Sequence, residues 1–492
     1  MQKDSPELRS ATDWLNLSVR LRQQGLFASM LQAARHASDL APDDLLVRFH
    51  EIDCLHFAGQ TRIALQRLQQ IESDHAEDAR FLLRAGETYV RLNRLVDYHR
   101  CCAQAFALAP RDPDVRLGFA RAMISRGDAA RAEALLSEAT RERPEDGDAW
   151  LELARLRRWT AAENHVESLE RAVAGTSDPR SKAASCYALY KELDDVGLAT
   201  RAMSWLQVGA KTMRSTFNYS VETDEAALAR IARSFPHERL RHAPSNGPGR
   251  GAIFVVGLPR SGTTLVDRIL STHPLVESLG ECLDLAYAIA RGGRSDAAVR
   301  NPDGAGARSV PADVGRSYLE AVDAYRTGRP YFVDKAPMNY LSCGLIRLAL
   351  PEARILLLRR HPIDSCLAIY KTLFRERLPF AYDLEELGRY YVAWHRLVEH
   401  WRTTLQDRLL VVSYESLVTD AETAIRRLLS HCGLDWDPRC LDFHLSESAV
   451  TTLSASQVRQ PMYRSSVGHW KKYARELEPL VRTLGDAGIP LD

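Results

Sequence analysis

The sequence predicts two architectures in one chain: an all-α repeat array, then an α/β domain built on a parallel sheet. Three observations predict it. The first half carries a 34-residue period, residues His242 to Gly251 form a Pro/Gly-rich break, and four short apolar runs follow that break, the first leading into a glycine-bearing loop.

The period is set by punctuation. Gly25, Gly59, Asn93 and Gly127 recur every 34 residues, and Pro42, Ala76, Pro110 and Pro144 follow each by seventeen. Gly or Asn suits a left-handed turn between two helices, and proline follows helices because it cannot continue them. Between these marks the apolar spacing is helical, as at Ala130, Ala132, Leu135 and Leu136. Trp14 lies eleven residues before Gly25, and Trp150 eleven before Ala161, where a fifth turn is expected. Gly86, Ala105, Ala120 and Ala139 fill positions where small residues let helices approach. This pattern resembles the tetratricopeptide repeat. It implies about five repeats over residues 8–180, capped by helices over Ser181–Phe235. The array therefore spans 8–235, residues 236–250 form a linker, and the α/β domain spans 251–490. Arrays of this type imply a peptide or protein partner.

Composition removes several function classes. Net charge is +1, so no global field attracts nucleic acid. The starting residues are polar, and no stretch approaches the ~20 apolar residues of a membrane span, so no membrane insertion is expected. The nine cysteines contain no C-x-x-C pair and read as reduced thiols of a cytoplasmic protein. No His/Cys cluster has metal-ligand spacing, so no metal is expected.

The apolar runs are Ala252–Val256, Tyr331–Val333, Arg354–Leu358 and Leu409–Val412. Continuous apolar strands alternating with helices predict a sheet buried on both faces, with ligands at the carboxyl ends of its strands. Gly257-Leu258-Pro259-Arg260-Ser261-Gly262-Thr263-Thr264 sits at such an end and opens a helix near Thr263. Backbone N–H groups and a helix N-terminus then converge on one spot, which favours a phosphate. The glycine spacing is that of a nucleotide-hydrolase P-loop, so the fold is P-loop-like. Thr263, however, stands where a hydrolase has Lys, and Arg359-Arg360 ends the strand where a hydrolase has the magnesium-binding Asp. Metal-assisted ATP or GTP turnover is therefore disfavoured.

Pro259–Leu265 resembles the 5′-phosphosulfate loop of sulfotransferases that use 3′-phosphoadenosine 5′-phosphosulfate (PAPS). Arg360-His361-Pro362-Ile363-Asp364-Ser365-Cys366-Leu367-Ala368 resembles their 3′-phosphate motif, except that Ala368 replaces a phosphate-binding Ser. Arg464-Ser465-Ser466-Val467-Gly468-His469-Trp470 resembles their closing segment. Within the family the chain is most similar to protein-tyrosine sulfotransferases and to bacterial fusions with tetratricopeptide repeats.

The resemblance implies PAPS as sulfuryl donor, held by Arg260, Ser261, Gly262, Thr263, Thr264, Arg360, Tyr414, Arg464 and Ser465. The small-molecule branch uses a His soon after a Lys, which Asp334-Lys335-Ala336-Pro337 lacks. The protein-tyrosine branch uses a Glu, and ungapped counting from Pro259 lands on Glu281, implied as general base with a pKa raised by partial burial. Lys335 is implied to bridge the leaving phosphate and the transferred group, and Ser454 to steady the sulfuryl oxygens. The leading acceptor is a tyrosine of a peptide or protein. A glycan, lipid or small-molecule hydroxyl stays open, as does a repeat scaffold with an inactive transferase domain. The Gly-, Ala-, Asp- and Arg-rich stretch Arg291–Asp313 reads as a loop.

Overall fold

The computed structural model describes residues 10–292, 305–446, 462 and 466–491. Helices Ala11–Gln24, Leu45–Phe57, Ala79–Arg91, Pro113–Arg126 and Gly147–Arg155 begin 34 residues apart, and each of the first four is followed by a helix that packs against it. The turn residues Gly25, Gly59, Asn93 and Gly127 have φ of 76°, 79°, 57° and 88°, the left-handed conformation their residue types favour. A second periodic device starts the helices: Asp44, Asp78, Asp112 and Asp146 each accept hydrogen bonds from the backbone N–H groups of the first turn. The small positions are tightly used. A Cβ on Gly86 would sit 3.3 Å from Tyr98 and 3.4 Å from the Cys102 sulfur.

The period breaks at the fifth turn. The helix that holds Trp150 stops at Arg155, and an irregular connection through the buried Trp159 reaches the next helix at Val166, so Ala161 lies inside a longer connection instead of a short helix-to-helix turn. Asp195 accepts the Trp159 N–H, and Glu192 accepts from both the N–H and Nδ1 of His165; these two carboxylates of helix Pro179–Asp195 hold the longer connection. Helices Pro179–Asp195, Ala199–Arg214 and Val221–Ser234 close the array, and the short helix His237–Arg241 falls within the segment read as a linker.

The α/β domain holds five parallel strands: β1 (Ala252–Gly257), β2 (Val276–Ser278), β3 (Tyr331–Asp334), β4 (Arg354–Arg359) and β5 (Leu409–Ser413), in the order β2-β3-β1-β4-β5. Four are the apolar runs of the sequence. The fifth, β2, has three residues and carries Glu277 and Ser278, too short and polar to register as a run. Alternate residues of β1 and β4 enter two separate cores. Ile253, Val255, Leu356 and Leu358 face helices Thr263–Thr272 and Ala421–Cys432. Phe254, Val256, Ile355 and Leu357 join a core continuous with the repeat array. The array is thus part of the wall that buries one face of the sheet.

Polar contacts tie the two halves at separated points. Arg291 donates to the Phe57 carbonyl, Arg375 pairs with Asp148, and Lys472 pairs with Asp194. Arg291–Asp313 is not a loop throughout: Ala305–Val322 is helical with Pro311 inside it, while residues 293–304 lie outside the described residues. All nine cysteines are buried free thiols. No helix among the described residues is long and apolar enough to cross a membrane.

Candidate active site

The phosphate loop takes its shape from three residues with positive φ. Gly257 (149°) leaves β1 with its Cα so close to β4 that a Cβ would lie 2.7 Å from the Leu358 carbonyl. Arg260 follows at 67°, unusual for a residue with a side chain. Gly262 (103°) starts the helix Thr263–Thr272, and a Cβ there would lie 2.7 Å from the Tyr414 ring. The N-cap residue is Gly262, which makes no side-chain bond to the first N–H groups of this helix. Ser261 is fully buried and its hydroxyl has no partner among the described residues, while Thr263 and Thr264 are buried beside it. A buried orphan hydroxyl, an uncapped helix start and a cradle that a Cβ would fill are the features of an anion site.

The two arginines ending β4 diverge. Arg359 pairs with Glu399 at 3.1 Å and lies 3.4 Å from His395. Arg360 turns to the phosphate loop, donating to the Arg260 carbonyl at 3.3 Å and to the Ser466 carbonyl at 2.6 Å, with its guanidinium 4.9 Å over the Tyr414 ring. Tyr414 in turn shares a 2.7 Å hydroxyl contact with Ser466. The structure therefore brings Arg260, Gly262, Arg360 and Tyr414 into one basin. Ala368 is buried in the helix Pro362–Tyr370, whose N-terminal part includes buried Ser365. Trp470 stacks on His361 at 5.7 Å. Ser454, Arg464 and Ser465 lie outside the described residues.

At the other end of the basin, Leu279 N–H donates to the Val333 carbonyl and Lys335 N–H to the Gly280 carbonyl, which extends the β2–β3 pairing beyond the strands. That pairing sets Glu281 beside Lys335, with Lys335 Nζ 2.5 Å from Glu281 Oε1. Lys335 is wholly buried, whereas the Glu281 side chain is 49 % exposed. Glu281 thus keeps about half of its side-chain surface open to solvent on the turn that follows β2. Asp267, on the helix after the phosphate loop, accepts from Ser278 Oγ at 2.6 Å, and Ser278 accepts from Gly280 N–H at 3.0 Å, so the Glu281 turn is tied to that helix. Burial pushes the Asp267 carboxyl up, against the pull of Lys335 and Ser278.

Sequence reasoning missed several groups. Asp334, just before Lys335, is pushed up to about 7 by burial, opposed by donation from Tyr318 at 2.9 Å and Cys282 at 3.3 Å. Asp364 accepts the N–H groups of Gly468 and Trp470 at 2.6 and 2.9 Å. Lys371 is brought down to about 8, first by burial; Asp194 and Asp364 oppose this while Arg260 and Arg360 reinforce it. A lysine held near two arginines marks a basin poised for a polyanion. Asp334 and Asp364 lay within quoted stretches without a role; Lys371 is placed by tertiary contacts.

The model of the sulfotransferase family matches residues 252–438, and a tetratricopeptide-repeat model matches residues 101–156. The chain joins a sulfotransferase-family domain to tetratricopeptide repeats. An uncharacterized protein of Aquifex aeolicus is 28 % identical over 342 residues, 66 % of this chain and 44 % of that protein. Protein-tyrosine sulfotransferase 1 of Danio rerio is 25 % identical over 236 residues, 44 % of this chain and 65 % of that enzyme. The match thus spans less than two thirds of either relative's length. A solved sulfotransferase domain from the curacin biosynthetic pathway aligns with 50 % of this chain and all of its own, at 15 % identity and a TM-score of 0.36.

Proposed function

We propose that the protein transfers a sulfuryl group from PAPS to an acceptor hydroxyl, with a tyrosine of a peptide or protein as acceptor. The observation that carries the reading is the wholly buried Lys335 ammonium touching the half-exposed Glu281 carboxylate, at the strand ends that also hold the phosphate loop. Glu281 takes the acceptor proton as the acceptor oxygen forms its bond to sulfur. The bond between sulfur and the 5′-phosphate oxygen breaks, and its electron pair stays on that phosphate. Arg260, the loop N–H groups and Lys335 neutralise the charge that develops there. Ser454 steadies the sulfuryl oxygens. Arg360, Tyr414, Arg464 and Ser465 hold the 3′-phosphoadenosine end.

Two features support a peptide acceptor: the likeness to a protein-tyrosine sulfotransferase, and the placement of the array. The helix Asp284–Gly292, which follows Glu281, packs Tyr287 against His56 and Phe57 of the second repeat at 5.2 and 4.8 Å. A peptide lying along the repeats would therefore be led toward Glu281.

Radiolabelled sulfate transfer from PAPS into a host lysate tests the reading, with the labelled fraction naming the acceptor. Label in glycan or lipid would replace tyrosine as acceptor, and no label would remove the activity. Glu281→Gln should lower transfer by about 1,000-fold, in the middle of the usual range for a general base, while calorimetry with 3′-phosphoadenosine 5′-phosphate shows unchanged binding. Near-normal turnover would remove Glu281 as the base. Ala368 favours one second reading, a repeat scaffold with an inactive transferase domain, and failure of the wild-type chain to bind that nucleotide would support it.

A further inference from the structure

The array also reaches the donor side of the domain. Asp194 lies near the end of helix Pro179–Asp195, among the helices that cap the repeats. Its Oδ1 accepts from the Tyr473 hydroxyl at 2.5 Å and pairs with the Lys472 ammonium, which also donates to the Asp194 carbonyl at 3.1 Å. His469 Nε2 lies 3.5 Å from Oδ2. Three residues of one short turn, His469–Tyr473, thus converge on a single carboxylate from the other half of the chain. Burial alone would raise the Asp194 carboxyl, but His469, Lys472 and Tyr473 outweigh it and hold it well below the usual carboxylate range.

The same turn is gripped from the opposite side. Asp364, in the helix that follows Arg360, accepts the N–H groups of Gly468 and Trp470. Just upstream, Ser466 receives Arg360 on its carbonyl and meets Tyr414 through its hydroxyl. The segment Ser466–Tyr473 therefore runs between two carboxylates, one from each half of the molecule, and its start supplies contacts to Arg360 and Tyr414.

We propose that Asp194 is a positioning residue for the 3′-phosphate end of the donor site, so that the cap of the repeat array sets the conformation of the segment against which Arg360 is held. The proposal rests on the PAPS reading. It gives the array a role in donor selection that is separate from any acceptor it binds. Asp194 itself touches no reacting atom. It acts through Lys472 and Tyr473 on the backbone that Arg360 contacts.

The test is calorimetry on the full-length chain with two nucleotides, 3′-phosphoadenosine 5′-phosphate and adenosine 5′-phosphosulfate, which lacks the 3′-phosphate. Asp194→Ala should weaken the first by about ten-fold, equivalent to ~1.4 kcal/mol, and leave the second within about two-fold. Tyr473→Phe removes one hydroxyl, keeps the ring, and should weaken the first by about three-fold, which keeps the proposal falsifiable if Asp194→Ala does not fold. Equal binding of the bisphosphate by variants and wild type, or equal loss for both nucleotides, would overturn the positioning role. Failure of the wild-type chain to bind the bisphosphate would instead overturn the PAPS reading.

Discussion

The phosphate loop comes from one stretch, Gly257–Thr264, while the part of the basin around Arg360 draws on β4, β5 and the segment from Ser466, whose following turn meets Asp194 of the repeat cap through Lys472 and Tyr473. The first is shaped by backbone: two glycines and a left-handed Arg260 bend the chain so that N–H groups converge. The second is shaped by side chains from distant parts of the sequence, with contacts 278 and 279 residues apart at Asp194. The difference teaches that a local anion cradle is fixed by a motif, whereas the basin around Arg360 is assembled from distant parts of the chain. Substitutions in the first end should therefore be absolute in effect, and those in the second graded.

Gly262→Ala should be the most damaging. A side chain at φ 103° with its Cβ 2.7 Å from the Tyr414 ring forces the loop and the ring apart. Donor binding by calorimetry should fall by about 100-fold or more, with a stability loss of ~1–3 kcal/mol in thermal denaturation. Arg360→Ala should cost about 30-fold in bisphosphate affinity, whereas Arg359→Ala, whose partner is Glu399, should stay within about three-fold; equal effects would erase the distinction between the two arginines. Ala368→Ser should sharpen the comparison in the other direction, adding a hydroxyl to the helix after Arg360 and raising affinity by about five-fold.

The smallest effect is a pH dependence. Lys371, at about 8, is charged below that pH and can attract the donor's phosphates. Above about 8 the free protein has lost this proton, and binding must take one up, so affinity should fall by at most ~10-fold per pH unit. Lys371→Met should flatten the profile in a titration from pH 7 to 9.5. Stability of the free chain moves the other way, rising with pH above about 8, because the unfolded chain still holds the proton that the folded chain has released.

What was legible in the sequence follows the same division. The 34-residue period, the turn glycines and the loop after β1 are local patterns, and each stands where its residues imply. Strand β2 escaped notice because three residues with a Glu and a Ser carry no apolar run. The turn expected at Ala161 assumed that the period continues, but Asp195 and Glu192 hold a longer connection there. Ala305–Val322 was hidden by Gly and Pro, which read as breakers although Pro311 sits inside the helix. The recurring Asp44, Asp78, Asp112 and Asp146 were a legible signal of helix starts that the turn residues overshadowed. Asp194 and Lys371 had no pattern to announce them, since their neighbours are set by packing alone.

The contacts at Phe57, Asp148 and Asp194 bear on how the molecule melts. A free solenoid behaves as a chain of nearest neighbours and can fray from either end. Here the second repeat, the fifth repeat and the cap are each fastened to the same rigid sheet domain, and one core runs through both. The solenoid thereby becomes a strut rather than a spring. Heating should produce a single calorimetric endotherm in which array and transferase domain unfold together, and deleting the first two repeats should lower the temperature of that one event instead of creating a second.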